Sequence, residues 1–115
     1  MHEFSLAGEV VKLAEHEARL NDALSVSEIT IEVGNLSGVE AEAFESALRI
    51  LSEKSLLADA LINIVRIRGK GICLSCRKEF DMETRIDTCP DCHEFPSQVN
   101  GGHEFRVLSI LIEKE

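Results

Sequence analysis

Apolar positions recur with helical spacing at the start of the chain and alternate soon after. Over residues 4–20, Leu6, Val10, Leu13 and Ala14 share one helix face, and Ala7, Val11 and Ala18 flank it. Glu9, Lys12, Glu15, His16 and Arg19 fall largely elsewhere, so His16 reads as a solvated surface residue. Asn21-Asp22 is the expected stop. Glu28–Val33 alternates with period two. Ile29, Ile31 and Val33 point one way and Glu28, Thr30 and Glu32 the other, as in a strand with one buried face. Gly34-Asn35 ends it. Ser37-Gly38-Val39-Glu40 has the hydroxyl-to-glutamate spacing of a capping box. The helix it opens runs to about Glu53 on a stripe of Phe44, Ala47, Leu48 and Leu51.

Leu61–Ile67 is apolar on both faces at its start, which predicts an interior strand. Phe105–Ile112 is rich in β-branched and apolar residues, the composition of a buried strand, and its best destination is the same sheet. Between Gly69-Lys70-Gly71 and Gly101-Gly102 lie about 30 residues of low apolar content, and the glycines read as flexible links. The expected fold is α+β: two helices and a three-stranded mixed sheet, with a small module inserted before the last strand. Residues 1–69, completed by 103–115, form one domain and residues 70–102 the other.

That module holds all four cysteines, as Cys73-Leu74-Ser75-Cys76, twelve residues, then Cys89-Pro90-Asp91-Cys92. A pair two residues apart presents both sulfurs to one point from a tight turn. Two such turns close a tetrahedron of thiolates, the arrangement Zn²⁺ favours. A module this small cannot bury a sufficient core, so the metal supplies its folding energy. Four thiolates saturate the ion and leave no place for an activated water, which argues against a zinc hydrolase. Two disulfides, or a thioredoxin-type redox pair, are the alternatives. Pro90 inside the second pair, and the absence of a βαβ setting, weigh against the redox reading.

Composition narrows the field. Apolar residues make up 44%, with five Phe and no Tyr or Trp, so the core is mostly aliphatic. Net charge is −9. The cysteine segment carries Arg77, Lys78 and Arg85 against Glu79, Asp81, Glu83, Asp87 and Asp91, which disfavours nucleic acid as partner. The first residues lack the basic and apolar regions of a signal peptide, and no apolar run reaches membrane-spanning length. A soluble, cytoplasmic protein with no membrane partner is expected.

Met1-His2-Glu3 is a second candidate site. A terminal amine, the backbone nitrogen of residue 2 and the imidazole of His2 reach one ion together. Such a nitrogen-rich set suits Ni²⁺ or Cu²⁺ in square-planar or tetragonal geometry, with Glu3 as an added donor. The plain alternative is a frayed chain end with an accidental histidine.

Several stretches resemble one family. Met1-His2-Glu3-Phe4-Ser5-Leu6-Ala7 resembles the start of the HypA/HybF hydrogenase maturation proteins. Gly34-Asn35-Leu36-Ser37-Gly38-Val39-Glu40 is similar to that family's turn, and Ala58-Asp59-Ala60-Leu61-Ile62-Asn63-Ile64 to its second strand. The two Cys pairs match its zinc ligands, and Gly102-His103-Glu104-Phe105-Arg106-Val107 resembles the start of its closing strand. The resemblance implies a non-enzymatic nickel metallochaperone. His2 is then the principal nickel ligand, helped by the Met1 amine and Glu3, with Glu40 as a nearby acidic group. Cys73, Cys76, Cys89 and Cys92 hold zinc. It also implies a HypB-type GTPase as partner, delivery to the large subunit of [NiFe] hydrogenase (some members serve urease), and a monomer or weak homodimer. His93 and His103 flank the zinc ribbon. With four cysteines present they read as exposed, and imidazole-for-thiolate exchange is the lesser reading. Two other functions compete: a zinc-ribbon adaptor without nickel, and a CxxC thiol–disulfide protein.

Overall fold

The computed structural model describes residues 2–114. Its elements are α1 (His2–Leu20), β1 (Ser25–Gly34), α2 (Ala41–Ser52), β2 (Leu61–Ile67), β3 (Gly69–Cys73), β4 (Glu79–Met82), β5 (Pro96–Asn100) and β6 (Phe105–Glu113). They form two three-stranded sheets, ordered β2-β1-β6 and β4-β3-β5. Contacts divide the chain into two units. One takes residues up to Glu32, Glu40–Val65 and the chain from Arg106 onward; the other takes Val33–Val39 and Arg66–Phe105.

In the first unit, α1 starts two residues earlier than the periodicity predicts and buries Ala7, Val10, Val11, Ala14 and Ala18. Leu13, expected on that face, is 46% exposed. The predicted stop is a Schellman motif. The Ala23 N–H donates to the Ala18 carbonyl and the Asp22 N–H to Arg19, with Asp22 left-handed at φ 55°. β1 buries Ile29, Ile31 and Val33 as the alternation requires. The predicted capping box does not form. Glu40, three residues later, is the N-cap, and its carboxylate accepts from the Ala43 N–H at 2.9 Å and the Glu42 N–H at 3.4 Å. The Ser37 hydroxyl instead accepts from the Val39 N–H two residues on, a local turn that competes with capping.

The sheet is mixed, as expected, but its order corrects two strands. Ser27, Glu32 and Gly34 meet Leu111, Arg106 and Glu104 in reverse order, so β6 runs antiparallel to β1. Val26, Thr30 and Asn35 meet Leu56, Asn63 and Ile67 in the same order, so β2 runs parallel to it. β1 is the interior strand. β2 is an edge, with Ile62 buried and Leu61 exposed. β6 is the other edge and is nowhere fully buried. A short apolar run does not distinguish an interior strand from an edge strand that buries one face.

At Gly8 an added Cβ would meet Leu51 Cδ1 of α2 at 3.9 Å, ordinary van der Waals contact, so the helix packing here does not require glycine. The Glu15 carboxylate accepts from the Leu56 N–H at 3.1 Å, satisfying a backbone donor in the loop before β2. The Ser52 hydroxyl is buried with no hydrogen-bond partner. Ser52→Ala removes that unsatisfied group and should stabilise the unit by about 1 kcal/mol, raising Tm by about 3–6 °C in a calorimetric scan.

Candidate metal centres

β3 ends at Cys73, and the chain turns at once through Leu74-Ser75 to Cys76. The second turn, Cys89–Cys92, lies between β4 and β5. The two turns are built alike. The Cys73 N–H donates to the Lys78 carbonyl and the Arg77 N–H to the Cys73 carbonyl; the Cys89 N–H donates to Glu94 and the His93 N–H to Cys89. Each is left through a left-handed residue, Arg77 (φ 64°) and His93 (φ 59°). β3 pairs antiparallel with both β4 and β5, which brings the turns together.

The four sulfurs lie within 4.8 Å of one another, and Cys76 Sγ and Cys89 Sγ are 3.8 Å apart. A regular tetrahedron with metal–sulfur distances of about 2.3 Å has edges of about 3.8 Å, so the spacing is that of a zinc site. It is far beyond the disulfide bond length of about 2.05 Å. Cys73 and Cys89 are buried, and Cys76 and Cys92 half-buried. The Cys76 N–H points at Cys73 Sγ at 3.4 Å and lowers the Cys73 thiol to about 7. The Cys92 thiol is pushed up to about 12, first by its contact with Cys76, then by burial and by Cys73. Four crowded thiols cannot all ionise alone; a divalent cation removes that penalty.

Leu36 is the residue that sequence reasoning missed. It comes from the turn after β1, yet it packs in the cluster of Cys73, Phe80, Met82 and Cys89 and is 2% exposed. Its N–H donates to the Gly102 carbonyl, and its carbonyl accepts from Arg85 Nη2. The available signal was an isolated leucine between Asn35 and Ser37, in a turn with no other reason to be apolar. The predicted flexible glycine links are close approaches instead. A Cβ on Gly102 would lie 2.6 Å from Gly69 Cα, and Gly102 is left-handed at φ 89°.

His93 and His103 are exposed and stand outside the cysteine cluster. His93→Gly relieves the left-handed backbone and removes no ligand. We expect zinc content unchanged at about one per chain, and zinc retention against a chelator equal or better by up to about 1 kcal/mol.

At the other candidate site, Met1 lies outside the described residues. His2 opens α1 with its side chain 58% exposed, and its Nδ1 is 3.4 Å from Glu3 Oε2. The same Glu3 oxygen accepts from the Glu40 N–H at 3.1 Å. That bond, followed by the contact with its own N–H, holds the Glu3 carboxyl below the usual glutamate range. Glu40 therefore does approach the N-terminus, through its backbone, while its carboxylate caps α2. The first backbone N–H groups of α1 have no carbonyl four residues back to bond. Among the described residues, the cysteines are the only group of three or more metal-binding side chains whose ligand atoms converge.

A family model described as "Hydrogenase/urease nickel incorporation, metallochaperone, hypA" matches residues 1–112. Hydrogenase maturation factor HypA of Parabacteroides distasonis is 39% identical over 115 residues, covering all of both chains. HypA of Geobacter metallireducens is 37% identical over 113 residues, 98% of this chain and all of that one. The solution structure of the Ni metallochaperone HypA from Helicobacter pylori superposes with a TM-score of 0.64 at 27% identity, covering 98% of both chains.

Proposed function

Since the chain belongs to the HypA family of hydrogenase/urease nickel-incorporation metallochaperones, we propose that it binds Ni²⁺ at its N-terminus and delivers it during [NiFe] hydrogenase maturation. The observation that carries this reading is the tie at the start of α1: Glu40 N–H to Glu3 carboxylate, with the exposed His2 imidazole alongside. His2 is the principal ligand, joined by the Met1 amine, backbone nitrogen and Glu3. Glu40 fixes Glu3 and supplies an acidic neighbour. Bound there, nickel sits on the exposed His2 imidazole beside the half-buried Glu3 carboxylate, and ligands that exchange one at a time suit a carrier that must also release its cargo.

Cys73, Cys76, Cys89 and Cys92 hold a structural Zn²⁺. Saturation by four thiolates gives that ion no open position, so the protein works as a carrier rather than an enzyme. A HypB-type GTPase and the hydrogenase large subunit are the partners, with urease maturation as a second destination; nucleic acid and membrane are not. No helix among the described residues is long and apolar enough to cross a membrane, consistent with work in the cytoplasm.

The test is metal content of untagged protein after nickel loading and desalting, then after mixing with the apo hydrogenase large subunit and the GTPase. About one zinc and one nickel per chain, with nickel alone passing to the acceptor, is the expected result. Zinc without retained or transferable nickel would favour the adaptor reading.

A further inference from the structure

We propose that Cys92 is a modification site: it is the first thiolate of the zinc cluster to react with hydrogen peroxide or another neutral electrophile, and it then closes a disulfide with Cys76 across the two turns. The four sulfurs differ in cover. Cys73 and Cys89 are buried, while Cys76 and Cys92 are half-buried. Pro90, Asp91, His93, Glu94 and Phe95 are all exposed, which leaves the second turn open to a small molecule. The sulfurs also differ in hydrogen bonding. Two amide N–H groups face Cys73 Sγ, that of Cys76 at 3.4 Å and that of Ser75. Among the described residues none faces Cys92 Sγ, whose hydrogen-bonding neighbours are the Cys76 and Cys73 sulfurs. An N–H bond to a ligating thiolate draws charge off the sulfur and makes it a weaker nucleophile.

Charge separates Cys92 from Cys76. Arg77 and Lys78 follow Cys76, whereas Asp91 and Glu94 flank Cys92 in the chain. Lys78 Nζ and Asp91 Oδ2 pair at 3.6 Å, which leaves Arg77 and Glu94 to set the difference. A cation near a thiolate stabilises its charge and blunts its attack on a neutral electrophile; a carboxylate does the reverse. With peroxide, Cys92 sulfur attacks one oxygen, the O–O bond breaks, and the departing hydroxide takes a proton to become water. The product is a sulfenic acid. Cys76 Sγ, within 4.8 Å of Cys92 Sγ, attacks that sulfur. An S–S bond forms, the S–O bond breaks, and a second hydroxide leaves as water. The two sulfurs supply the two electrons that reduce the peroxide, and solvent supplies the two protons. Zinc is left two ligands short and departs, and the order it gives the ribbon goes with it.

The test uses the full chain, reduced and zinc-loaded, with limiting N-ethylmaleimide in one arm and hydrogen peroxide in the other. Free thiols are then blocked and the chain is cut with trypsin. Cleavage after Lys70, Arg77, Arg85 and Arg106 puts Cys73 and Cys76 on one peptide and Cys89 and Cys92 on another. Tandem mass spectrometry assigns each cysteine, and a colorimetric chelator follows zinc. The first maleimide is expected on Cys92, roughly tenfold ahead of Cys73 and Cys89 and roughly threefold ahead of Cys76. Peroxide should join the two peptides through Cys76 and Cys92 and release one zinc per disulfide, and dithiothreitol with added zinc should reverse both. Glu94→Lys keeps every ligand and should erase the lead of Cys92 over Cys76 with zinc content unchanged. A first adduct on any other cysteine overturns the proposal. So do disulfides confined within each pair, zinc retained after the cross-link forms, or a Glu94→Lys chain that reacts as wild type does.

Discussion

Removing zinc with a strong chelator is expected to unfold residues 66–105 and 33–39 together and leave α1 and α2 helical. The second unit's core is Leu36, Phe80 and Met82 around the cysteines. Three apolar side chains cannot offset the backbone entropy of so much ordered chain. A zinc site of four thiolates contributes on the order of 10 kcal/mol, and its loss leaves two buried thiols facing one another. The first unit keeps its own core of Ala14, Ile29, Ile31, Phe44 and Leu48. Amide hydrogen exchange on holo and stripped protein reads the outcome. The Leu36 N–H, bonded to Gly102, should lose protection with the ribbon, while amides in the middle of α1 keep theirs. Cys73→Ala should do the same without chelator. If the Leu36 amide stays protected while residues 70–102 melt, the turn after β1 is no part of the zinc unit, and the sequence-based boundary is the better one.

That boundary shows where sequence reading stops. Helices and strands were legible because their periods are local: Ile29, Ile31 and Val33 declare a buried face by alternation alone. The four cysteines were legible because a tetrahedron of thiolates dictates their spacing. Leu36 was not, since its destination depends on a chain crossing at Gly69 and Gly102 that no local pattern encodes. β2 and β6 were placed in the right sheet and at the wrong depth, because strand order is a tertiary fact. Glu40 matched the capping-box spacing as its distant partner and turned out to be the cap itself, one helical turn later than Ser37. The Glu3–Glu40 bond spans 37 residues and was anticipated only as proximity.

Retained nickel is expected to fall from about one per chain to none in His2→Ala, with zinc unchanged at about one, when untagged protein is loaded, desalted and assayed. The imidazole is the only strong side-chain nitrogen donor at the start of α1, and a carboxylate with a chain amine holds Ni²⁺ poorly without it. The His2 side chain is exposed, so its loss should leave the fold intact. Glu3→Gln has a smaller effect, a loss of affinity of roughly 10–100-fold. It keeps an acceptor for the Glu40 N–H but removes the charge beside the imidazole. The pH dependence separates the two roles. Glu3 has its carboxyl lowered, so the Glu3–Glu40 tie is complete above the ordinary glutamate range and is lost only as pH falls through the lowered value. Imidazole and amine must shed protons to bind nickel, so wild-type retention should fail first at higher pH, with Glu3 still ionised. Circular dichroism across the same range should show α1 intact where nickel has already been lost. Full nickel retention by His2→Ala would remove the N-terminus from the metal site altogether. Nickel loss only where α1 unravels would make the tie at Glu3, rather than proton competition at the ligands, the step that releases the ion.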